Sequence, residues 1–319
     1  MTTLRIGVVG VGHMGQKHAE KTLALRESGA EVDLVGVADA DLERARAVAS
    51  ALGVPAAGDA AALFREADAV VVAVPTLHHY AVVRDALEAR LDVLVEKPLA
   101  ATLEQGQVLL ELAEQDGRVL QVGHLEWFNA ATRAIHSRIR SPRFVEVQRM
   151  GPFPARGTDI DVVRDLMIHD IDILQQILGE EPERIEAIGT PVITDEVDIA
   201  NARLRFPSGC IADLTASRVS RTPRRKMRFF QRDGYFSIDF LAQSASIHRR
   251  LEGACDDRPR IEVEKLKFDP EDALLAQLRV FVDAVRKRHA PTDSAANALG
   301  ALRTALRVID AMPSFDEPE

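Results

Sequence analysis

The sequence predicts a two-domain α/β protein, in which an N-terminal doubly wound parallel sheet precedes an α+β domain with an open, mainly antiparallel sheet. The 319 residues suit two domains of about 100 to 200 residues each. Up to Val122, short β-branched runs alternate with helix-length segments, whereas beyond Leu178 strand-like runs follow one another directly. We place the boundary so that the first domain covers residues 1–123 and the second covers 124–319.

In the first domain, apolar runs of the kind found in buried parallel strands are separated by segments rich in Ala, Leu, Glu and Arg, which favour helix. The predicted strands are 4–9, 32–38, 69–74, 93–95 and 119–122. The predicted helices are 16–28, 41–52, 80–89 and 102–115. This alternation brings the carboxyl ends of the strands to one edge of a parallel sheet, where such folds bind ligands.

The second domain is predicted to contain a strand at 144–150, a helix at 159–178 and then successive strands. Those strands are 185–193, 199–206, 210–218, 226–232, 235–240, 245–249 and 260–267. Turn signals at Pro207-Ser208-Gly209 and Asp233-Gly234 join neighbouring runs as hairpins, so the sheet should be mainly antiparallel. A last helical region, 270–312, is broken near Pro291.

Composition and charge exclude several classes of protein. Forty Lys and Arg against 49 Asp and Glu leave a net charge of −9, so no global basic field attracts nucleic acid or an anionic membrane. The apolar run 69–74 is far shorter than a membrane span, and the N-terminus lacks a signal-peptide apolar region, so we expect a cytoplasmic protein. Cys210 and Cys255 lack the spacing of zinc ligands, and we expect no metal site.

A glycine-rich turn follows the first predicted strand. Gly10, Gly12 and Gly15 form a GxGxxG arrangement that ends a strand and opens a helix, which allows the backbone to approach a pyrophosphate. The next strand ends at Asp39, where a carboxylate can accept hydrogen bonds from the ribose hydroxyls of a dinucleotide. Together they predict a Rossmann domain. Asp39 repels a 2′-phosphate, which favours NAD over NADP, although a neighbouring basic residue could override that repulsion.

The predicted helix at the start of the second domain has one polar wedge. Asp165 and His169 are spaced i to i+4, so a regular helix places the carboxylate where it can orient the imidazole. An imidazole can accept the proton of a hydroxyl while hydride leaves the same carbon, so His169 is the candidate general base, and the alternative is a solvated polar face of an amphipathic helix. Asp170 falls inside the apolar arc, so we expect it to be buried and hydrogen-bonded or to line the site.

Two further loops follow the third and fourth strands, Ala73-Val74-Pro75-Thr76-Leu77-His78-His79 and Glu96-Lys97-Pro98-Leu99-Ala100. With the glycine turn, the acidic strand end and the Asp-x-x-x-His helix, they give a sequence that resembles the Gfo/Idh/MocA family of nicotinamide-dependent sugar oxidoreductases over nearly the whole chain. Lys97 follows a buried strand at the ligand-binding edge, where its ammonium can hold a hydroxyl or carbonyl oxygen.

The resemblance implies a role for each motif. It assigns Lys97, His169 and Asp165 to catalysis. The implied cofactor contacts are Gly10, Gly12, His13, Met14, Gly15, Asp39, Pro75, Thr76, His79, Glu96 and Lys97. It also implies, together with the open sheet face, a homo-oligomer that is a dimer or a tetramer.

Several segments resemble a narrower branch, the bacterial UDP-N-acetylglucosamine 3-dehydrogenases. They are residues 122–126, Phe128-Asn129, the run from Arg156 through Asp172, and Ala216-Ser217-Arg218-Val219-Ser220. The resemblance implies that Arg156 binds a sugar-nucleotide phosphate, that Glu126 and Asn129 receive sugar groups, and that Asp165 and His169 also contact substrate. The chain departs from the branch at Trp127, where Arg is expected, and at Ala130, where Pro is usual.

The leading hypothesis is therefore an NAD-dependent dehydrogenase that oxidises C3 of UDP-N-acetylglucosamine to a 3-oxo sugar, which a partner aminotransferase then converts to an amino sugar. One alternative is a dehydrogenase of the same fold that acts on another nucleotide sugar, a free sugar or inositol. An alternative of another class is a nicotinamide-binding sensor or scaffold without turnover. Glu126 and Arg156 also have a purely structural interpretation, as an ion pair or a contact that stabilises a loop.

Overall fold

The first of two compact units contains a five-stranded parallel sheet of order β2-β1-β3-β4-β5. The computed structural model describes residues 2–153, 160–255, 258–268, 271–291 and 294–313. Its strands are β1 (Leu4–Val9), β2 (Val32–Ala38), β3 (Ala69–Val72), β4 (Asp92–Val95) and β5 (Leu120–Val122). Its helices are α1 (His13–Glu27), α2 (Leu42–Leu52), α3 (Ala60–Phe64), α4 (Thr76–Glu88) and α5 (Leu103–Gln115), joined by α8 (Ala273–Lys287) from near the chain's end.

The strand order reverses at β1, which lies between β2 and β3. In open parallel sheets such a reversal opens a crevice beyond the carboxyl ends of the strands. The loops after β1, β2, β3 and β4 carry Gly10, Asp39, Pro75 and Lys97 to that edge. The fold therefore positions the predicted cofactor residues of this unit along one edge, as the alternation of strands and helices requires.

Residues 272–299 belong to the first unit, which corrects a simple division of the chain at residue 123. Leu278, Phe281 and Val285 on α8 are buried in the same apolar cluster as Ile6 and Val8 of β1. The second unit consists of residues 126–271 and 300–319. The sequence pattern of α8 predicts that one face of the helix is apolar. It does not predict which sheet that face covers, because an apolar helix face can pack against any apolar surface.

The second unit contains an eight-stranded sheet of order β13-β12-β11-β10-β6-β9-β8-β7. Its strands are β6 (Phe144–Met150), β7 (Arg184–Thr190), β8 (Ile199–Arg205), β9 (Ile211–Ser217), β10 (Arg224–Gln231), β11 (Gly234–Asp239), β12 (Ser244–Cys255) and β13 (Arg258–Lys267). Its helices are α6 (Ala130–Ile135), α7 (Ile168–Leu178) and α9 (Ala295–Asp310), the last shared at residue 299 with the first unit. Among the described strand pairs of this sheet, β6 and β9 are parallel and the other pairs are antiparallel, so the predicted mainly antiparallel sheet is confirmed.

Several predicted helices differ from those observed. The helix predicted at 159–178 begins outside the described residues, and its described part is not one regular helix, because Val163–Met167 form a turn of π-helix before α7 begins at Ile168. The short helices α3 and α6 were not predicted, and each is stabilised by a preceding side chain, Asp59 or Asn129, that caps its first turn. Within the described residues, every helix is too short or too polar to cross a bilayer.

Candidate functional site

The glycine turn has the shape that a dinucleotide pyrophosphate requires. Gly10 has φ of +84°, which favours glycine, and a Cβ on Gly15 would lie 1.7 Å from the Gly10 carbonyl oxygen. A Cβ on Gly12 would meet nothing within 4 Å. Gly12 is also the N-cap of α1 and provides no side-chain cap, so the first N–H groups of α1 remain available to an anion. His13, exposed, and Met14, half-buried, open that helix.

Asp39 holds the glycine turn from the end of β2. Its Oδ2 accepts a hydrogen bond from the Val11 backbone N–H at 2.8 Å, and its Oδ1 accepts one from the Asp41 backbone N–H at 2.9 Å. Arg44 Nη1 lies 3.5 Å from the same Oδ1. The carboxylate therefore has a cationic neighbour of the kind that could counter its repulsion of a 2′-phosphate.

His79 joins the two proline loops of the first unit. Its Nδ1 lies 2.7 Å from the Pro98 carbonyl oxygen and its Nε2 lies 2.9 Å from the Val74 carbonyl oxygen. Burial lowers the pKa of this imidazole, and the two carbonyls oppose that shift only in part. The neutral ring carries one N–H, so one of the two carbonyls accepts a hydrogen bond from it. Pro75 and Thr76 lie at the start of α4, the helix that carries His79.

Glu96 and Lys97 follow β4 directly. Glu96 Oε1 lies 2.7 Å from Nε2 of His18, which is 1% exposed on α1. Burial alone would raise the pKa of Glu96, but His18 and then Lys97 outweigh it and hold that pKa below its ordinary value. His18 was not predicted from the sequence, although it shares the buried face of α1 with Gly15, Ala19 and Leu25.

Asp165 and His169 lie on consecutive turns of different geometry. Asp165 belongs to the π-helical turn and His169 to the first turn of α7, and both side chains are half-buried. Asp161 fixes the start of this segment, since its Oδ1 accepts hydrogen bonds from the backbone N–H groups of Val163 and Arg164 at 3.0 and 2.9 Å. The i to i+4 stacking expected of a regular helix is therefore modified by a π-turn, a feature often found at functional sites.

Arg149, on β6, binds two carboxylates in the second unit. Its Nε and Nη2 donate to the two oxygens of Asp170, each at 2.8 Å, and its Nη1 donates to Glu126 Oε1 at 2.6 Å. Arg149 and Asp170 are each 2% exposed, which confirms that Asp170 is buried and hydrogen-bonded. Arg225 Nη1 lies 3.4 Å from the same Glu126 oxygen. Glu126 is therefore part of a buried ion-pair network.

The pKa values of this network follow from burial and opposite charge. Burial raises the pKa of Asp170, and the nearby Arg149 offsets that rise only in part. For Glu126, Arg149 more than offsets burial and lowers the pKa. Burial alone would lower the pKa of Arg149, but Asp170 and Glu126 raise it above its ordinary value. Arg149 thus remains a cation. Its partner Asp170 directly follows His169 in the chain.

The other predicted substrate residues have different environments. Asn129 is 7% exposed, and its amide donates to the Phe240 carbonyl oxygen at 3.1 Å while its Oδ1 accepts from the Ala131 backbone N–H at 3.1 Å. Arg156 lies outside the described residues. Trp127 places its ring 5.2 Å from the ring of His136.

A second buried ion pair fixes the approach to the π-turn. Arg218 Nε donates to Asp198 Oδ1 at 2.6 Å, and Arg218 Nη1 donates to the Ile160 carbonyl oxygen at 2.7 Å. Asp198 Oδ2 also accepts from the backbone N–H groups of residues 192–194 at 2.6 to 2.9 Å. Burial alone would raise the pKa of Asp198, but these N–H groups outweigh it and hold the pKa well below its ordinary value.

The first unit has a parallel sheet and a glycine turn shaped for a pyrophosphate. The second unit has a sheet and an Asp-x-x-x-His segment. This combination is typical of the two-domain nicotinamide-dependent oxidoreductases. Residues 4–124 match the family model described as oxidoreductase family, NAD-binding Rossmann fold. Residues 131–237 match the GFO/IDH/MocA C-terminal domain. The chain belongs to the Gfo/Idh/MocA family of oxidoreductases, which confirms the resemblance found in its motifs.

Two individual enzymes of the family are similar to this chain to different extents. The UDP-N-acetylglucosamine 3-dehydrogenase of Acidithiobacillus ferrooxidans is 36% identical over 316 residues, 99% of each chain. A solved structure of that dehydrogenase superposes with a TM-score of 0.91 over 98% of each chain. The NAD-dependent scyllo-inositol 2-dehydrogenase of Bacillus subtilis is 30% identical over 68% of each chain.

Proposed function

We propose that this enzyme oxidises C3 of UDP-N-acetylglucosamine to the 3-oxo sugar with NAD. The observation that carries the proposal is the full-length similarity to a dehydrogenase of that specificity, which spans 99% of both chains. Two of the similar inositol dehydrogenases match 66% and 68% of the chain. The similarity to the nucleotide-sugar enzyme runs through both units, whereas these inositol dehydrogenases leave about a third of the chain unmatched, which supports the nucleotide sugar over inositol.

We assign the catalytic roles to Lys97, His169 and Asp165. His169 accepts the proton of the substrate hydroxyl, Asp165 orients the imidazole, and the ammonium of Lys97 holds the oxygen as it becomes a carbonyl. Bound NAD supplies the hydride acceptor. The glycine turn, the free N–H groups of α1 and Asp39 bind the cofactor, and the fit of that turn to a pyrophosphate supports this assignment.

Among the proposed sugar-binding residues, Glu126 has the strongest support. Its Oε1 is occupied by arginines, whereas the described residues provide no hydrogen bond to its Oε2. Glu126 is still 14% exposed, so Oε2 can accept a sugar hydroxyl. Asn129 keeps one Nδ2 hydrogen for a substrate oxygen, and Arg156 remains the proposed partner of a phosphate.

An absorbance assay tests the proposed activity. Mixing the protein with NAD and UDP-N-acetylglucosamine should raise absorbance from NADH, and adding glutamate with a candidate aminotransferase should increase the yield by removing the ketone. The same assay with myo-inositol and free N-acetylglucosamine is the specificity control. NADH formation only with those polyols would contradict the substrate, and NAD binding without turnover on any of them would favour the sensor alternative.

We propose that NAD is preferred over NADP because the Asp39 carboxylate repels a 2′-phosphate. The variant Asp39→Asn keeps an oxygen that can accept from Val11 N–H but removes the charge, and Arg44 remains beside it. We expect the ratio of kcat/KM for NADP to kcat/KM for NAD to rise at least about tenfold. Steady-state kinetics with both cofactors measures the ratio, with Asp41→Asn as the control. An unchanged ratio would show that Asp39 does not select the cofactor.

We also propose that the protein is a cytoplasmic homo-oligomer that associates through the open face of the eight-stranded sheet. Cross-strand neighbours form one row of aromatic and aliphatic side chains on that face, consisting of Val263, His248, Tyr235, Phe230, Phe144 and Ile211. Adjacent rings in the row lie 4.1 to 5.8 Å apart. Sedimentation velocity should show a dimer or tetramer that Phe230→Asp dissociates and Leu241→Asp does not; a monomeric parent protein would refute the proposal.

A further inference from the structure

A pocket of about 670 Å³ lies at the amino edge of the parallel sheet in the first unit. Asp68, Leu91 and Arg118 line it, and they come shortly before β3, β4 and β5. The glycine turn and Lys97 follow the carboxyl ends of strands in the same sheet. The pocket is therefore at the opposite edge from the cofactor residues, and the proposed dehydrogenase activity does not use it.

Arginines from four separate segments line this pocket. Arg65 ends α3, Arg90 follows α4, Arg118 precedes β5 and Arg288 ends α8. Within the described chain, the side chains of Arg65, Arg90 and Arg118 have no hydrogen bond or ion pair, and Nε of Arg118 is buried without a partner. A buried guanidinium N–H without an acceptor is costly, which favours an acceptor at this position.

The carboxylates of the pocket are already neutralised. Asp68 accepts from Arg5 Nε and Nη2 at 3.1 and 2.8 Å, and Asp85 accepts from Arg84 Nη2 at 2.8 Å, so both pair with arginines that do not line the pocket. The paired carboxylates leave the three unpaired guanidinium groups uncompensated. The local charge of the pocket is therefore positive, although the whole chain carries −9.

Two of the arginines adopt backbone conformations that glycine normally adopts. Arg90 has φ of 62° and Arg288 has φ of 54°, both in the left-handed region after a helix. Asp92 holds Arg288 in place, since both its oxygens accept from Arg288 Nη1 at 2.7 and 2.9 Å. Arg90 has no such contact, so no interaction of its side chain within the described fold offsets the cost of the strained backbone.

We propose that this pocket binds an organic phosphate, with the arginines on the phosphate and the apolar wall against its carbon skeleton. Guanidinium groups bind phosphate oxygens in pairs, which a single ammonium cannot do. Phe64, Val82 and Leu91 supply apolar lining, which suits a ring or another carbon group better than inorganic phosphate. The site is separate from the catalytic residues and is a second small-molecule site on the enzyme.

Calorimetric titration of the full-length protein with phenyl phosphate at low salt tests the proposal, with NADH present to occupy the cofactor site. We expect binding, weaker binding of inorganic phosphate, and at least about tenfold weaker binding of phenyl phosphate by Arg90→Gln/Arg118→Gln. Arg26→Gln/Arg46→Gln removes the same charge from exposed positions outside the pocket and should change affinity less than about twofold.

Two results would overturn the proposal. One is the absence of binding at about 5 mM phenyl phosphate, an affinity too weak for a specific site. The other is an equal loss of affinity for phenyl phosphate in both double variants. That result would mean that the arginines act only through the net charge of the protein or by interacting with the carbonyl groups at helix C-termini. If the double variant Arg90→Gln/Arg118→Gln does not fold, the single variant Arg90→Gln replaces it in the titration. Arg90 is exposed and its side chain has no partner in the described fold, so this change should not disturb folding.

Discussion

Replacing His169 with asparagine is expected to lower kcat by about 10² to 10⁴, the usual contribution of a general base. Asparagine cannot accept the hydroxyl proton, so the chemical step slows while cofactor binding, which rests on the first unit, is retained. Stopped-flow absorbance at the NADH band in a single turnover measures the hydride-transfer step, and fluorescence titration measures NADH affinity. We expect the affinity to change less than about twofold.

Two further variants make this test specific. His289→Asn changes another histidine, 47% exposed after α8, and should leave kcat unchanged. Lys97→Met should also slow hydride transfer. If both groups serve the same proposed step, combining it with His169→Asn should cost less than the product of the two separate effects. A His169→Asn variant that turns over at the parent rate would remove His169 from the mechanism.

The sequence predicted both sheets because the alternation of strands and helices, and then of inward and outward residues, is a local pattern. It also placed the glycine turn, Asp39 and Lys97 at one edge, since the carboxyl ends of parallel strands meet there. It missed the assignment of α8 to the first unit and the π-turn that contains Asp165. Both depend on tertiary packing, which a single-chain pattern does not encode.

The ion pairs that support the site were also missed, although a signal for them exists. Arg149 continues the inward positions of Val145 and Val147 on β6, and Asp170 interrupts the apolar arc of α7. A charge at an inward position needs a partner of opposite charge, so two such residues in one domain predict each other. Arg218 and Asp198 follow the same rule, extending the inward positions of β9 and β8 beyond the ends of those strands.

Replacing Arg149 with methionine is expected to lower the free energy of unfolding by about 3 to 5 kcal/mol, because Asp170 and Glu126 are left buried without their main cation. Urea unfolding measures the loss. The double variant Arg149→Met/Asp170→Asn removes the uncompensated charge as well and should be more stable than Arg149→Met alone. Arg133, 51% exposed and paired with Glu271, provides the control Arg133→Met, for which the loss should be at most about 1 kcal/mol.

The pH dependence of the free energy of unfolding distinguishes two causes of the loss in Arg149→Met, an uncompensated buried charge and lost packing. The folded pKa of Asp170 is raised above its unfolded value, so the native state binds the extra proton and stability falls as pH rises between the two pKa values. Without Arg149 the folded pKa rises further, so the deficit of Arg149→Met should be small in acid, where Asp170 is protonated in both states, and should grow as pH increases. Glu126 is also left without Arg149 and adds to the deficit in the same direction, with Arg225 as its remaining cation. A deficit that is constant with pH would mean that Arg149 stabilises the fold by its contact with Phe240 and by packing, not by its charge.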